Sequence, residues 1–380
     1  MSTKFKNITL VILSSLVLFG LAFWSWFKPA DPFSESERRE LAQMPAFSWE
    51  SVFHEDSDKN FMSLFESYSL DQFPMRELFR TVKSYASFYL FRNRDNNGIY
   101  LENGYAAKLE YPINEASLDY AAGKFKGIYD RFLRSGKAKV YTAVIPDKGY
   151  FLAEQNGYLS MDYERFFVLY REKTGFASYI DIKDTLSLED YYKTDTHWRQ
   201  EKITDVAETL AGGMGVTLTG EYTENILNHP FYGVYYGQSA LPLPAEEIRY
   251  LTNGTLEACT VYDHQNGREI AFYDMEKAVG KDPYEMYLSG NLSVVTVENP
   301  NAATDRELIV FRDSFGSSLL PLLAEGYRKI TVVDIRYIPS ANLGILRDGR
   351  TGKPLIDFDS ADDVLFLYST LVLNNSGTLR

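Results

Sequence analysis

The stretch from Glu307 to Ile335 constrains the fold more than any other. Leu308 to Phe311 is a short apolar run. Ser317 to Glu325 reads as a helix ended by Gly326, and Ile330 to Ile335, Val- and Ile-rich with Thr331 and Asp334, is the next strand. Strand, helix, strand is a βαβ unit, which builds a parallel sheet with right-handed connections. Lys139 to Ile145, stopped at Pro146-Asp147-Lys148, and Val364 to Tyr368 are further buried strands of this kind, and Tyr179 to Ile182 is a shorter one. The fold class is therefore α/β.

The remaining segments sort around that sheet. With 380 residues the chain has room for one large domain or two modest ones. Ile8 to Phe27 carries no charge, has Trp24 and Trp26 at its far end and is closed by Lys28-Pro29. Its length matches the roughly 20 residues that cross a bilayer, and the indoles suit the interface. A cleavable signal peptide is the competing reading, but the bulky residues around Trp24 offer no small-x-small cleavage site. An uncleaved anchor with the C-terminal part outside is expected. Residues 1–28 are then tail and anchor, 29–95 a juxtamembrane linker and helical segment, and 96–380 the main domain. Ser34 to Met44 reads as a short helix. Ser51 to Leu90 is mostly helical, with a break at Gln72-Phe73-Pro74. A small hairpin is expected around Asn103-Gly104, then helices over Ile113 to Ser135 and Tyr163 to Thr174. A helix with Ile203, Val206, Ala207 and Leu210 on one face should be capped by Gly212-Gly213. Residues 215–300 are β-rich, either an insertion or the completion of a sheet edge.

Composition excludes some functions. A net charge of −13 argues against a nucleic-acid partner, which needs a basic stripe. The only cysteine is Cys259, so an intramolecular disulfide and a cysteine metal cluster are both ruled out. Tyrosine is abundant. Such residues can floor carbohydrate sites, though most pack at core edges.

Two short stretches carry chemistry. Thr194-Asp195-Thr196-His197-Trp198 supplies an imidazole with a carboxylate two residues before it. Arg312-Asp313-Ser314-Phe315-Gly316 supplies a serine where a strand turns into a helix. In an α/β sheet the carboxyl ends of strands hold reactive groups, and the first N–H groups of a helix are free to meet negative charge. Asp, His and Ser are the parts of a nucleophilic acyl-transfer site. The plainer alternative for Asp313 or Ser314 is a helix N-cap. A zinc site at Asp-x-His is a rival, but no other histidine or acidic cluster has ligand spacing. No metal or cofactor is expected, and His54, His229 and His264 read as structural or surface residues.

The ordered pair Thr-Asp-Thr-His-Trp and Asp-Ser-Phe-Gly resembles the DHHW family and the related alginate O-acetyltransferases of the AlgJ and AlgX type. Glu37-Arg38-Arg39-Glu40-Leu41, Asp71-Gln72-Phe73-Pro74, Asn97-Gly98-Ile99-Tyr100, Pro146-Asp147-Lys148 and Ser289-Gly290-Asn291 also fit. Position 196 is Thr where the family name has His, which matches the alginate-type version. The resemblance implies an SGNH-hydrolase-like α/β/α sandwich with a mainly parallel sheet and a circularly permuted motif order, since the Asp-x-His block precedes the Ser block. It implies Ser314 as nucleophile, His197 as base and Asp195 as orienting acid. Asn291 with Gly290 is the candidate oxyanion donor, its alternative being a turn. Arg336 either faces the cleft to bind substrate or pairs with an acid. The implied activity is O-acetyl transfer to a cell-surface polysaccharide outside the membrane, with a membrane-bound O-acyltransferase as partner. A carbohydrate esterase and a non-catalytic glycan-binding protein are the alternatives.

Overall fold

Side chains alternate between two faces along every central strand, so each strand feeds two cores. A computed structural model describes residues 3–380. Its main sheet has eight strands: β1 (Lys139–Ile145), β2 (Ser178–Tyr179), β3 (Thr260–Asp263), β4 (Arg268–Ile270), β5 (Val294–Glu298), β6 (Glu307–Arg312), β7 (Lys329–Val333) and β8 (Asp363–Ser369). Their order across the sheet is β4-β3-β5-β7-β6-β8-β1-β2. The run β7-β6-β8-β1-β2 is parallel, and β5, β3 and β4 extend it antiparallel. The 307–335 unit thus places two neighbouring parallel strands at the centre, as the sequence predicts.

Both faces are covered. On one, Val364, Phe366 and Tyr368 of β8 join Ile309 and Phe311 of β6. They pack against Leu118 and Phe125 of the helix Glu115–Ile128 and against Phe166 and Tyr170 of Tyr163–Lys173. On the other, Leu365, Leu367, Leu308 and Val310 meet Val206 and Leu210 of Thr204–Gly213 and Leu319 and Leu323 of Gly316–Ala324. The result is a three-layer α/β/α sandwich. Each fully buried Leu or Phe contributes about 1.5–3 kcal/mol. Phe366 stacks on Phe311 at 4.9 Å in the middle of one layer.

Three expectations need correction. The helix over Thr204–Gly213 is not capped by Gly212-Gly213. Gly215 takes the left-handed position (φ +75°), Val216 N–H donates to Ala211 O at 2.8 Å, and Gly215 N–H to Gly212 O at 2.9 Å. Gly213 is small for packing, since a Cβ there would sit 2.8 Å from Ile180 Cδ1. Ser34 to Met44 is not helical. Phe33–Ser34 pairs antiparallel with Arg39–Glu40, and Ser34 Oγ accepts Glu37 N–H at 3.3 Å, a local bond that competes with a helix. The strand expected over Tyr179 to Ile182 is only Ser178–Tyr179, because Asp181 Oδ1 accepts Lys183 N–H and opens a short 3₁₀ turn. The β-rich 215–300 segment does two things. Thr223–Phe231 and Glu246–Thr252 form a separate antiparallel pair, while β3, β4 and β5 complete the sheet edge.

The chain divides into two compact units. The described residues up to Asn96, with Tyr236–Pro242, form one. It holds the helix Thr3–Phe27, which is long and apolar enough to cross a membrane, and the helices Phe61–Asp71 and Arg76–Tyr85. Arg39 grips Asp71 through two bonds at 2.8 and 2.6 Å, which draws the Asp71 carboxyl below its ordinary pKa. Asn97–Tyr235 with Leu243–Arg380 forms the other unit, which contains the sheet and both chemical motifs.

Candidate active site

β6 ends at Arg312, and Asp313-Ser314-Phe315 turns the chain into the buried helix Gly316–Ala324. Asp313 organises that turn. Its Oδ1 accepts Phe315 N–H at 3.1 Å and its carbonyl accepts Gly316 N–H at 3.1 Å. Its Oδ2 accepts the Ser369 N–H at 2.7 Å and Ser369 Oγ–H at 2.6 Å, at the end of β8. Gly316 is required by close approach, since a Cβ would lie 2.8 Å from Arg312 Cβ. With the capping done by Asp313, Ser314 is left partly exposed and its hydroxyl points elsewhere.

It meets His197. Ser314 Oγ lies 2.8 Å from His197 Nε2, and His197 Nδ1 lies 2.6 Å from Asp195 Oδ1. A carboxylate only accepts, so Nδ1 carries the ring proton and Nε2 is left to accept from the serine hydroxyl. Asp195 is buried and fully engaged. Oδ1 also accepts His197 N–H at 3.0 Å, and Oδ2 accepts Val234 N–H at 2.8 Å. Tyr284 stacks on the imidazole at 3.9 Å between ring centroids and 7° between planes, and its hydroxyl pairs with Ser318 Oγ at 2.8 Å. Burial pushes the Tyr284 phenol well above its ordinary pKa, so it stays neutral beside the ring. Trp198, fully buried, donates Nε1–H to Phe315 O and Ser318 Oγ, both at 3.0 Å.

The other expected site residues have different partners. Asn291 is exposed and its amide donates to Glu285 Oε1 at 3.2 Å. Gly290 is a left-handed turn residue (φ +80°) whose N–H donates to Tyr287 O at 3.1 Å. Arg336 pairs with the buried Asp334 at 2.6 Å, and Arg312 approaches the same carboxylate at 3.5 Å. His54 Nδ1 accepts Asp56 N–H, His264 Nε2 pairs with Thr296 Oγ1, and His229 lies on Thr223–Phe231. Among the described residues no group of three His, Cys, Asp or Glu side chains is placed to hold a metal ion. Tyr284, Val234 and Gly233, whose N–H donates to Thr194 Oγ1 at 3.0 Å, are not legible as site residues in the sequence. They come from segments with no motif, and only the fold brings them to the loop.

A three-layer α/β/α sandwich around a mainly parallel sheet is the class this fold defines. Within it, the chain has the fold of a DHHW family protein from Eubacterium siraeum, with a TM-score of 0.60 at 19% identity, over 75% of this chain and 95% of that one. It is similarly close to Bacillus cereus PatB1, solved with a sulfonyl adduct, with a TM-score of 0.56 at 19% identity, over 74% of this chain and 97% of that one. The O-acetyltransferase domain of Pseudomonas putida AlgJ is a more distant match, with a TM-score of 0.42 at 13% identity over 73% of this chain and 92% of that one. The DHHW-type resemblance seen in the sequence is thus matched by structural likeness. No protein-family model matches the sequence, and no curated protein matches it.

Proposed function

We propose that the chain is a membrane-anchored O-acetyltransferase that moves an acetyl group through Ser314 to a hydroxyl of a cell-surface polysaccharide. The observation that carries this reading is the continuous hydrogen-bonded series Asp195–His197–Ser314 at 2.6 and 2.8 Å. His197 Nε2 takes the Ser314 hydroxyl proton as Oγ attacks the acetyl carbonyl carbon. The tetrahedral oxyanion collapses, the C–O bond to the donor breaks, and His197 returns the proton to the leaving group. A sugar hydroxyl then gives its proton to His197, attacks the acyl-serine and leaves as acetyl-sugar while Ser314 recovers its proton. Asp195 orients the ring and stabilises the imidazolium.

The oxyanion needs donors. Asp313 occupies the N–H groups of Phe315 and Gly316, whereas Ser314 N–H has no partner among the described residues. Ser314 N–H is therefore the first donor. Asn291, on the turn that Gly290 forms, becomes a second one once its side-chain amide leaves Glu285. A single such donor contributes on the order of 10²–10³ in rate. Arg336, held by Asp334, would contact substrate through the guanidinium edge that Asp334 leaves open.

The helix Thr3–Phe27 serves as the anchor, with the sheet domain on the extracytoplasmic side and the permuted SGNH motif order implied by the resemblance. A membrane-bound O-acyltransferase would supply the acetyl group. The test is incubation of the protein with a chromogenic acetyl ester, with and without oligosaccharide acceptors, beside Ser314→Ala and His197→Ala. Acetyl-sugar that depends on Ser314 supports transfer. Free acetate that no acceptor diverts makes the protein an esterase. Activity unchanged by Ser314→Ala rejects the reading.

A further inference from the structure

Two consecutive peptide groups just before Asp195 lie between opposite charges. Lys148, three residues past the end of β1 at the start of the short helix Lys148–Leu152, donates from Nζ to Tyr192 O at 2.9 Å and to Lys193 O at 3.1 Å. Glu246, at the start of Glu246–Thr252, accepts the N–H groups of Lys193 and Thr194, both at 2.7 Å, and Thr194 Oγ1 at 2.7 Å. Tyr192 O and Lys193 N–H belong to one peptide group, and Lys193 O and Thr194 N–H to the next. Each peptide dipole therefore has its oxygen on the ammonium and its N–H on the carboxylate, the favourable orientation at both ends.

The cation is costly where it stands. Lys148 is 2% exposed, and a buried ammonium is tolerated only when it is hydrogen-bonded and paired. Its neighbour Asp147 does not pair with it through a hydrogen bond, being taken by Gly149 N–H, the Tyr163 hydroxyl and Thr370 Oγ1. The face of Tyr235 lies 4.9 Å from Nζ and that of Tyr105 5.9 Å. Tyr235 also holds the loop. Its N–H donates to Thr194 O at 2.9 Å and its hydroxyl lies 3.1 Å from Thr196 Oγ1. A methionine would fill the same space without the desolvation cost. The ammonium and the carboxylate do not enter the acyl-transfer steps, yet both bear on the residues immediately before Asp195.

We infer that Lys148 and Glu246 are positioning residues, a charged clamp on the 192–194 peptides that fixes Asp195 and so the orientation of His197. This rests on the acyl-transfer reading for its kinetic consequence, but not for its structural one. The negative groups facing the ammonium are Asp195, Glu246 and Asp147, and burial, which outweighs them, pulls the Lys148 pKa down to about 7. The clamp is thus held by a cation near its tipping point.

The test uses the full chain with Lys148→Met and, because that change replaces a buried charged side chain, also the near-isosteric Glu246→Gln at a half-buried site. Two readouts are taken. The first is the imidazole NMR spectrum with labelled histidine, tractable with four histidines. The His197 Nδ1 proton bonded to Asp195 should shift or exchange faster in both variants, while thermal unfolding of Glu246→Gln stays close to the parent. The second is turnover of an acetyl ester, where kcat should fall about 10-fold or more with KM within about twofold. Failure of the parent to turn over would reject the acyl-transfer reading and leave the NMR comparison to decide the clamp. An unchanged His197 proton in folded Glu246→Gln would overturn the clamp, as would unchanged kcat where the parent is active.

Discussion

Trp198 Nε1 donates to the carbonyl of Phe315 at 3.0 Å. Trp198 follows the histidine and Phe315 follows the serine, so this bond fastens the two chemical motifs one residue past each reacting group. Separated in sequence by more than a hundred positions, the motifs are set in register by a buried indole.

Trp198→Phe removes that donor and leaves Phe315 O with the longer Ser318 Oγ–H contact at 3.4 Å, while Ser318 Oγ keeps Tyr284. The expected cost is about 1–3 kcal/mol of stability. Turnover should fall by roughly 10-fold, as Ser314 and His197 lose their fixed separation. Thermal unfolding and acetyl-ester kinetics on the same preparation measure both.

Asp195→Asn should be far more damaging to rate than to fold. Val234 N–H still finds an amide oxygen, but the amide NH₂ then faces Nδ1 and moves the ring proton to Nε2, the wrong tautomer for accepting from Ser314. A fall in kcat on the order of 10³–10⁴ is expected, against a stability loss of about 1–3 kcal/mol because His197 N–H loses its Oδ1 acceptor. Steady-state kinetics beside circular dichroism checks this.

Gly233→Ala tests how tightly the loop is packed. A Cβ at Gly233 would run into the backbone of Thr194 and Asp195, which has no flexible end to yield. A loss of about 2 kcal/mol or more is expected, together with lost turnover. Gly123→Ala, at an exposed position inside the helix Glu115–Ile128 where a Cβ meets nothing within 4 Å, is the control: turnover should be unchanged and stability equal or higher by up to about 1 kcal/mol.

Lys148 gives a pH signature. Its folded pKa is drawn down to about 7 from the ordinary lysine value by burial. Between that pH and about 10.5 the unfolded chain binds the extra proton, so stability rises with pH across this window. Below about 7 both states are charged and the penalty is full. Lys148→Met should flatten the rise, by roughly 2–4 kcal/mol between pH 6.5 and 9.5 relative to the parent. Denaturant unfolding of the detergent-solubilised full chain at several pH values, parent against variant, cancels the other titrating groups. A parallel pair of curves would contradict it.

Much of this fold is written locally. β6, β7 and β8 are legible because strands buried on both faces read as continuous apolar runs, and the strand-to-helix turn at Ser314 follows from the change of period. Asp195, His197 and Ser314 stand out because their residue types and order carry chemistry. Tyr284, Glu246 and Val234 do not, because each acts through a contact that only tertiary folding makes. That Asn291 and Gly290 hold their polar groups on Glu285 and Tyr287 is likewise a product of the folded turn, invisible in the sequence. Ser34 to Met44 misleads through its charge pattern, since side-chain-to-backbone bonds of serine override a marginal helix.

The measurement closest to the central claim is a rapid-quench peptide map after mixing the protein with an activated acetyl ester. The account predicts an added acetyl group on the peptide containing Ser314, absent from Ser314→Ala and formed far more slowly in His197→Ala. A sulfonyl fluoride should label the same hydroxyl and block the acetylation. Acetyl release at the parental rate by Ser314→Ala, or an acetyl group accumulating on another residue at a competent rate, would contradict it.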